Sequence, residues 1–493
     1  MQEYFGDLLK TLYYNGVNRL VVRISNRFTF FIVKGEKVMT YQTIYPYTGK
    51  QMYAYPNATD QEVNQALDTA HALYQKWRNE TVASRKPQLL AIATLMKDRR
   101  QQLSEKIVYD MGKLLTEAQA EVDLCVRIVE YYAKNAEKML RPVELQVPMG
   151  KAKYVKQATG IIMAVEPWNF PLYQIVRVFA PNYMVGNPML LKDASICPTS
   201  AQAFTDLVLE AGAPKGALTN LFIDYDQVAR IIADDRVAGV CLTGSERGGA
   251  SVAQEAGKNL KKATLELGGN DAFIVLADAD WNLLRKVAPA ARLDNAGQVC
   301  TSSKRFIVPA EQKAEFIELM QTAFSKLKMG NPMNPETTLA PLSSKVAQQK
   351  LQQQVDLAVQ HGARLVMGGH AVAGQGFFFE PTILTDITPD NPIFDQELFG
   401  PVAMIYAVDS EDEAIKLANN SKFGLGGTVF SQNLEHAQQV ASRIETGMTF
   451  INSGWDSIPE IPFGGVKHSG FGRELGMQGL DAFVNEHLIY IKD

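Results

Sequence analysis

A cysteine that attacks a carbonyl carbon needs an ionisable thiol, room for its partner, and a backbone that does not crowd the approach. The stretch Asn295-Ala-Gly-Gln-Val-Cys300-Thr-Ser puts a cysteine after a glycine-containing turn, where the missing Cβ lets a ligand come close. By itself the segment reads equally well as a core cysteine. No Cys–His–Asn arrangement can be assembled around Cys300, which argues against protease-type chemistry. A second segment, Leu265-Glu266-Leu-Gly-Gly269, carries a carboxylate on an apolar strand end. Burial there would lift its pKa and make Glu266 a usable general base; a salt-bridged strand-end glutamate is the plainer alternative. In Pro167-Trp168-Asn169-Phe170-Pro171 the second proline suits the first turn of a helix. Asn169 then precedes a helix start, as an amide donor to an oxyanion or as an ordinary helix cap.

The elements that must position these residues follow from the spacing of apolar residues. From about Asp60 to Lys138 they recur at three and four (Ala66, Ala70, Leu73; Leu89, Ile92, Leu95), the amphipathic helix period. Between Tyr154 and Ala164 the chain becomes β-rich. Short apolar strands then alternate with helices: MLLKD, a helix Ser200–Glu210, LTNLFI, a helix Asp226–Asp234, GVCLTG, a helix Gly249–Asn259, ATLELGG and AFIVL. Such alternation predicts a doubly wound parallel sheet. The strand GVCLTG ends in Thr243-Gly244-Ser245 and is followed by Gly248, Gly249 and a helix, a strand–turn–helix unit that can seat a pyrophosphate on helix N–H groups. The fingerprint G-x-G-x-x-G is absent, so a plain surface turn fits equally well. After Cys300 a second α/β stretch is expected, with FIVP, helices Ala310–Leu327 and Val346–His361, and strands near Phe377, Val402 and Met448. The tail HLIYIKD reads as a strand.

Bulk composition excludes several classes. With 493 residues and 46% hydrophobic content, the chain can bury a large core in two or three domains. Its 49 basic and 53 acidic residues, net −4, create no field for nucleic acid or an anionic membrane surface. No apolar run reaches membrane-spanning length. Four cysteines without a CxxC pair fit a reducing, cytoplasmic setting, and Cys125, Cys197 and Cys241 sit among aliphatic residues as small hydrophobes. Six histidines show no metal-ligand spacing, so no metal is expected. Residues 1–38 read as a leader: Lys34-Gly-Glu-Lys-Val-Met39 back-translates to a ribosome-binding tract before a Met codon, which makes Met39 the expected start. A real N-terminal arm is the alternative.

Six segments, EPWNFP, LTGSERGG, LELGG, NAGQVC, Glu397-Leu-Phe-Gly-Pro401 and PFGGVKHSGFGRE, stand in the order and spacing found in the aldehyde dehydrogenase superfamily. From about Met39 to the C-terminus the chain resembles that superfamily, and within it most closely the bacterial NADP-dependent succinate-semialdehyde dehydrogenases. The resemblance implies an α/β fold with two doubly wound-type domains and a small β extension for oligomerisation. Its expected parts are a cofactor domain (residues 39–140 and 159–266), a catalytic domain (267–475) and the extension (141–158 and 476–493), giving a homodimer or homotetramer through exposed strand edges.

The resemblance further implies that Cys300 attacks the aldehyde, that Asn169 and the Cys300 N–H hold the thiohemiacetal oxyanion, and that Glu266 activates the water that hydrolyses the thioester or first assists deprotonation of the thiol. Trp168, Lys192, Ser195, Gly244, Ser245, Leu267, Glu397 and Phe399 would contact the cofactor. NAD-preferring members often carry a Glu where Ser195 stands; a neutral Ser195 near Lys192 therefore implies NADP, with NAD possible, and Asp193 beside them works against it. Tyr173 and Arg177 lie four apart, on one helix face. Arg177 and Ser457 match residues that succinate-semialdehyde dehydrogenases use for the substrate carboxylate, although a structural ion pair would also explain Arg177. The second carboxylate-binding arginine of that group is replaced by Asp294, with Arg292 out of register. The alternatives are a broad-specificity enzyme, one acting on lactaldehyde or a glyceraldehyde phosphate, a coenzyme A-acylating enzyme, or a non-catalytic relative.

Overall fold

The computed structural model describes residues 20–24, 27–31 and 40–492. The leader expected at residues 1–38 lies largely outside the described residues; within it, β1 (Leu20–Ile24) pairs antiparallel with β2 (Arg27–Phe31). A second antiparallel pair, β3 (Tyr41–Tyr45) and β4 (Lys50–Tyr55), precedes four helices, α1 (Asp60–Trp77), α2 (Lys86–Asp98), α3 (Arg100–Met111) and α4 (Leu115–Met139). Thr59 and Glu62 form a capping box that starts α1, whose Val63, Ala66, Leu67, Ala70 and Leu73 are buried at the expected helical spacing.

Then come β5 (Val143–Leu145) and β6 (Lys151–Ala158), followed by alternation: β7 (Ile161–Val165), α5 (Tyr173–Val185), β8 (Met189–Lys192), α6 (Pro198–Glu210), β9 (Leu218–Asn220), α7 (Tyr225–Ala233), β10 (Val237–Thr243), α8 (Glu246–Lys258) and β11 (Lys262–Glu266). These five strands lie parallel in the order β9-β8-β7-β10-β11. The order reverses between β7 and β10, and a doubly wound sheet opens its ligand crevice at that point, beyond the strand C-termini. There β7 runs into Glu166-Pro-Trp-Asn169 and β10 into Thr243-Gly-Ser245.

The second α/β unit runs through β12 (Ala272–Val275), α9 (Trp281–Leu293), β13 (Arg305–Pro309), α10 (Lys313–Phe324), α11 (Lys345–Gln360), β14 (Arg364–Met367), β15 (Thr382–Thr385), β16 (Val402–Val408), α12 (Glu411–Asn419), β17 (Phe423–Gly424), β18 (Gly427–Phe430), α13 (Leu434–Ala441) and β19 (Phe450–Ile451), and holds the second sheet. Its order is β14-β15-β16-β13-β12-β18-β19, parallel except for β14, while β17 pairs outside it with β20 (Val466–Lys467). The chain then crosses back: β21 (Gly470–Phe471) adds antiparallel to β11 and sets Gly470 opposite Glu266. After α14 (Gly476–Asp481), β22 (Val484–Ile491) pairs antiparallel with β6 along its whole length, in the sheet β22-β6-β5. Leu488, Tyr490 and Ile491 of that sheet are exposed.

The expectation of a strand near Phe377 was incorrect. That stretch is a loop with Gly374 and Gly376 at positive φ, closed on itself by one antiparallel bridge between Ala371 and Phe379; the strand itself comes later, as β15. Glycines in the left-handed region break the extended repeat that a ladder needs. The sequence reading also missed α9, because Pro289 interrupts its pattern. No described helix is long and apolar enough to cross a membrane.

Candidate active site

The site is assembled on one helix. On α4, Glu117 and Glu121 stand one turn apart and face inward. The Glu121 carboxylate accepts the backbone N–H groups of Leu172 (2.9 Å) and Tyr173 (3.1 Å), which start α5, and is neutralised by Lys113 at 2.6 Å with both side chains wholly buried. Glu117 accepts the N–H of Asn295 at 2.9 Å. A single helix face thus holds both the Asn169 turn and the cysteine loop. Since Glu121 satisfies the first N–H groups of α5, Asn169 is not its cap, and one amide hydrogen of Asn169 donates to Gln298 O at 3.1 Å. The second donates to no acceptor among the described residues.

The cysteine loop follows a tight left-handed path: Asn295, Ala296 and Gly297 have φ of 51°, 53° and 76°. Positive φ at two non-glycine residues costs energy and persists only where surroundings over-determine it. Here they do. Asn295 donates to Asn169 O (2.9 Å), Gln298 Oε1 accepts Ser343 N (2.9 Å), and Lys304 donates to the carbonyls of Val299 (2.8 Å) and Cys300 (2.7 Å). Arg292, wholly buried, donates to Val402 O (2.6 Å) and Leu398 O (2.8 Å) and also bonds Ser302 and Gly400 O. It ties the loop to the Glu397–Pro401 segment. Gly269 completes the packing, since a Cβ there would lie 2.5 Å from Cys300 O. The Cys300 N–H donates to no acceptor among the described residues. Cys300 is half-buried, and burial pushes its thiol up to about 12, with Lys304 and Arg177 pulling the other way. At rest the sulfur is therefore a thiol.

A cavity of about 410 Å³ opens on this sulfur, lined among others by Trp168, Asn169, Gly244, Ser245, Leu267, Glu397 and Phe399. Trp168 and Phe399 meet edge to face at 5.6 Å. Ser245 Oγ caps α8 through Gly248 N (3.2 Å), so the N–H groups of that helix start point outward beside the cavity. Glu397 is held by Gly269 N and Lys304, each at 3.2 Å. Of the residues expected to bind cofactor, Lys192 and Ser195 do not line this cavity. Lys192 Nζ lies 5.5 Å from the Tyr41 ring and 4.9 Å from the Tyr225 ring, and Ser195 is exposed.

Glu266 does not line the cavity either. It is 2% exposed, its carboxylate oxygens have no hydrogen-bond partner among the described residues, and Oε1 lies against Gly464. Burial raises its pKa well above the ordinary range, as does the charge of Glu474, while Arg177 and Arg473 oppose the rise.

A second cavity, about 790 Å³, lies on the other side of the Asn169–Phe170 turn and is lined by Phe170, Trp455 and Ser457 along with residues of α4 and α9. Of the residues expected at the substrate only Ser457 lines it; behind it Tyr173 OH is 2.7 Å from Ser457 Oγ and accepts from Arg177 Nη1 at 3.2 Å. Arg177 is 1% exposed, donates to Thr243 Oγ1 at 3.1 Å and pairs with Glu474. Sequence reasoning missed Glu117, Glu121, Lys113 and Lys304. The two glutamates carried a signal, as acids at i and i+4 on the apolar face of a helix. The lysines did not.

The profile described as "Aldehyde dehydrogenase family" matches residues 32–489. The chain belongs to the aldehyde dehydrogenase family. It is 45% identical over 449 residues to a succinate-semialdehyde dehydrogenase (NADP(+)) of Deinococcus radiodurans, covering 91% of this chain and 94% of that one. It is 39% identical over 448 residues to the succinate semialdehyde dehydrogenase (NAD(P)+) Sad of Escherichia coli, covering 91% and 97%. Among solved structures, succinic semialdehyde dehydrogenase from Streptococcus pyogenes in complex with NADP+ is 60% identical and superposes with a TM-score of 0.91 over 92% of this chain and 100% of that one. The aldehyde dehydrogenase fold expected from the six segments is the one observed. NAD(P)-dependent aldehyde oxidation is accordingly the reaction class of this site.

Proposed function

We propose that this aldehyde dehydrogenase oxidises succinate semialdehyde to succinate, with NADP as the preferred cofactor. The observation that carries the reading is the hydrogen-bond chain Ser457–Tyr173–Arg177, which ends at the wall of the second cavity. Two hydroxyls backed by a guanidinium suit a substrate whose far end is a carboxylate. Relatives whose names carry this substrate at 45% and 60% identity support it.

In this reading the two cavities meet across Cys300 and Asn169. Cys300 forms the bond to the aldehyde carbon, its proton passing to a base; the free amide hydrogen of Asn169 and the unpaired N–H of Cys300 hold the oxyanion. The residues of the first cavity fit a dinucleotide: a helix start for the pyrophosphate, Glu397 for ribose hydroxyls, Phe399 and Trp168 beside the ring. NADP, when bound, supplies the acceptor for the hydride. The acyl group is left on Cys300 as a thioester, and Glu266, once its side chain turns away from Gly464, deprotonates the water that hydrolyses it. Its raised pKa suits that step. Preference for NADP is supported at Ser195, a neutral exposed side chain. Asp193 does not counteract it: its carboxyl is fully buried, with neither oxygen hydrogen-bonded among the described residues, and burial raises its pKa well above the usual range. We also assign the exposed sheet β5–β6–β22 to subunit pairing in a homo-oligomer, as an extension separate from a cofactor and a catalytic domain.

Initial rates with succinate semialdehyde and with butanal, each with NADP and NAD, test the reading. The carboxylated aldehyde should be favoured about tenfold or more in kcat/KM, and NADP over NAD. Parity between the two aldehydes would return the enzyme to a broad-specificity role.

A further inference from the structure

The second cavity also carries two cations that nothing above uses. Arg127, on α4, and Lys286, on α9, stand on its wall, both exposed, and neither makes a hydrogen bond or ion pair among the described residues. This is not for want of acids nearby. Asp123, one turn before Arg127, is held by Arg100 through two bonds of 2.7 Å, and Glu130 is held by Lys97 and Lys134. Deeper in the cavity Glu121 is neutralised by Lys113, and burial raises the pKa of both Glu117 and Asp294. The one exposed carboxylate on the same wall, Asp456, has an oxygen taken by Ser457 N at 2.7 Å. The wall therefore carries two cations unpaired among the described residues against one exposed carboxylate, a net positive charge, in the cavity that Ser457 also lines.

We propose that Arg127 and Lys286 form a cationic mouth that draws in ω-carboxylated aldehydes and contributes to their selection. The inference rests on the semialdehyde reading and deepens it. Asp294, a cavity residue with a carboxyl of its own, supplies no positive charge to this cavity. The mouth supplies it instead, on long side chains in solvent, where a charge need not be desolvated while it waits for its partner. Attraction of this kind acts over about 10 Å at ordinary ionic strength and is screened by salt.

The test compares wild type, Arg127→Gln, Lys286→Gln and the double variant with succinate semialdehyde and butanal, at low and high ionic strength. Each single change should lower kcat/KM for succinate semialdehyde by about two- to fivefold at low salt, the double change by about tenfold, with butanal rates and Tm unchanged. High salt should shrink the difference between wild type and variants. If the double variant equals wild type with succinate semialdehyde while wild type still prefers it to butanal, the mouth has no such role and the substrate reading stands. Equal losses with both aldehydes would also overturn it, pointing to a structural effect. If wild type does not distinguish the two aldehydes, the substrate reading fails and this inference with it.

Discussion

The two cavities, one lined by Asn169 and Cys300 and the other by Phe170 and Ser457, handle charge in opposite ways. Around the first cavity, the proposed cofactor side, stand helix N–H groups, the aromatic faces of Trp168 and Phe399, and Glu397 paired with Lys304, none of them a buried unpaired charge. On the substrate side the inner charges are already compensated: Arg177 by Glu474, Lys113 by Glu121. Backbone dipoles at a helix start are cheap to leave solvated, so they can wait for a phosphate. A desolvated guanidinium cannot wait alone, and so this one keeps an internal counter-ion that also stands near Glu266. Arg177, Glu474 and Glu266 thus form one electrostatic cluster, so that in the proposed reading substrate recognition and hydrolysis are coupled while cofactor recognition stands apart.

Four measurements break or sharpen that contrast. Glu266→Gln should slow steady-state turnover by about 10²- to 10³-fold while leaving a rapid first-turnover burst of reduced cofactor, because acylation precedes the step that needs the base. Loss of the burst along with turnover would place Glu266 in thiol activation instead. Arg177→Ala should lower kcat/KM for succinate semialdehyde by about 10²-fold and butanal by less. It should also lower Tm, since removing one partner strands Glu474 at a cost of about 3 kcal/mol or more. A shift in the pH profile of deacylation in that variant would report the shared cluster, and an unchanged profile would separate the two functions. Ser195→Glu should move the NADP/NAD preference toward NAD by about tenfold without changing the aldehyde preference; a change in both would mean that the sides are coupled after all. The smallest effect concerns Glu117, whose carboxyl burial and Asp294 push from 4.5 up to about 7. A raised carboxyl pKa means that the fold favours the protonated form. Its contribution is full below pH 4.5 and lost as pH rises through about 7. Glu117→Gln should therefore flatten the fall in Tm between roughly pH 5 and 8. An equally steep fall in the variant would assign it to other buried carboxyls, such as Asp110 or Asp271.

Much of the architecture was readable one segment at a time. Strand–helix alternation from Tyr154 to Leu276 is a local pattern of period and punctuation, and it gave the doubly wound sheet. The stretch around Phe377 misled, because aromatic residues there pack as a loop and glycines with positive φ interrupt the extension. At the site the residue types of Cys300, Asn169 and the LTGS turn were legible because each sits in a short segment whose backbone requirement is local. Arg292 was legible only as an arginine out of register. Its bonds run to Leu398 and Val402, far along the chain, and no spacing rule reaches that distance.

The sequence by itself determined the family, most of the strand–helix alternation and the residue types offered for the chemistry, since these depend on local period, turn chemistry and short motifs. The tertiary structure alone decided that Glu117 and Glu121 clamp the Asn169 turn and the cysteine loop, that Glu266 rests against Gly464, that Arg177 pairs with Glu474, and that the Arg127 and Lys286 side chains have no partners among the described residues. Each of these is a matter of which charges are desolvated together. Burial and pairing are set by segments that meet only when the chain is folded.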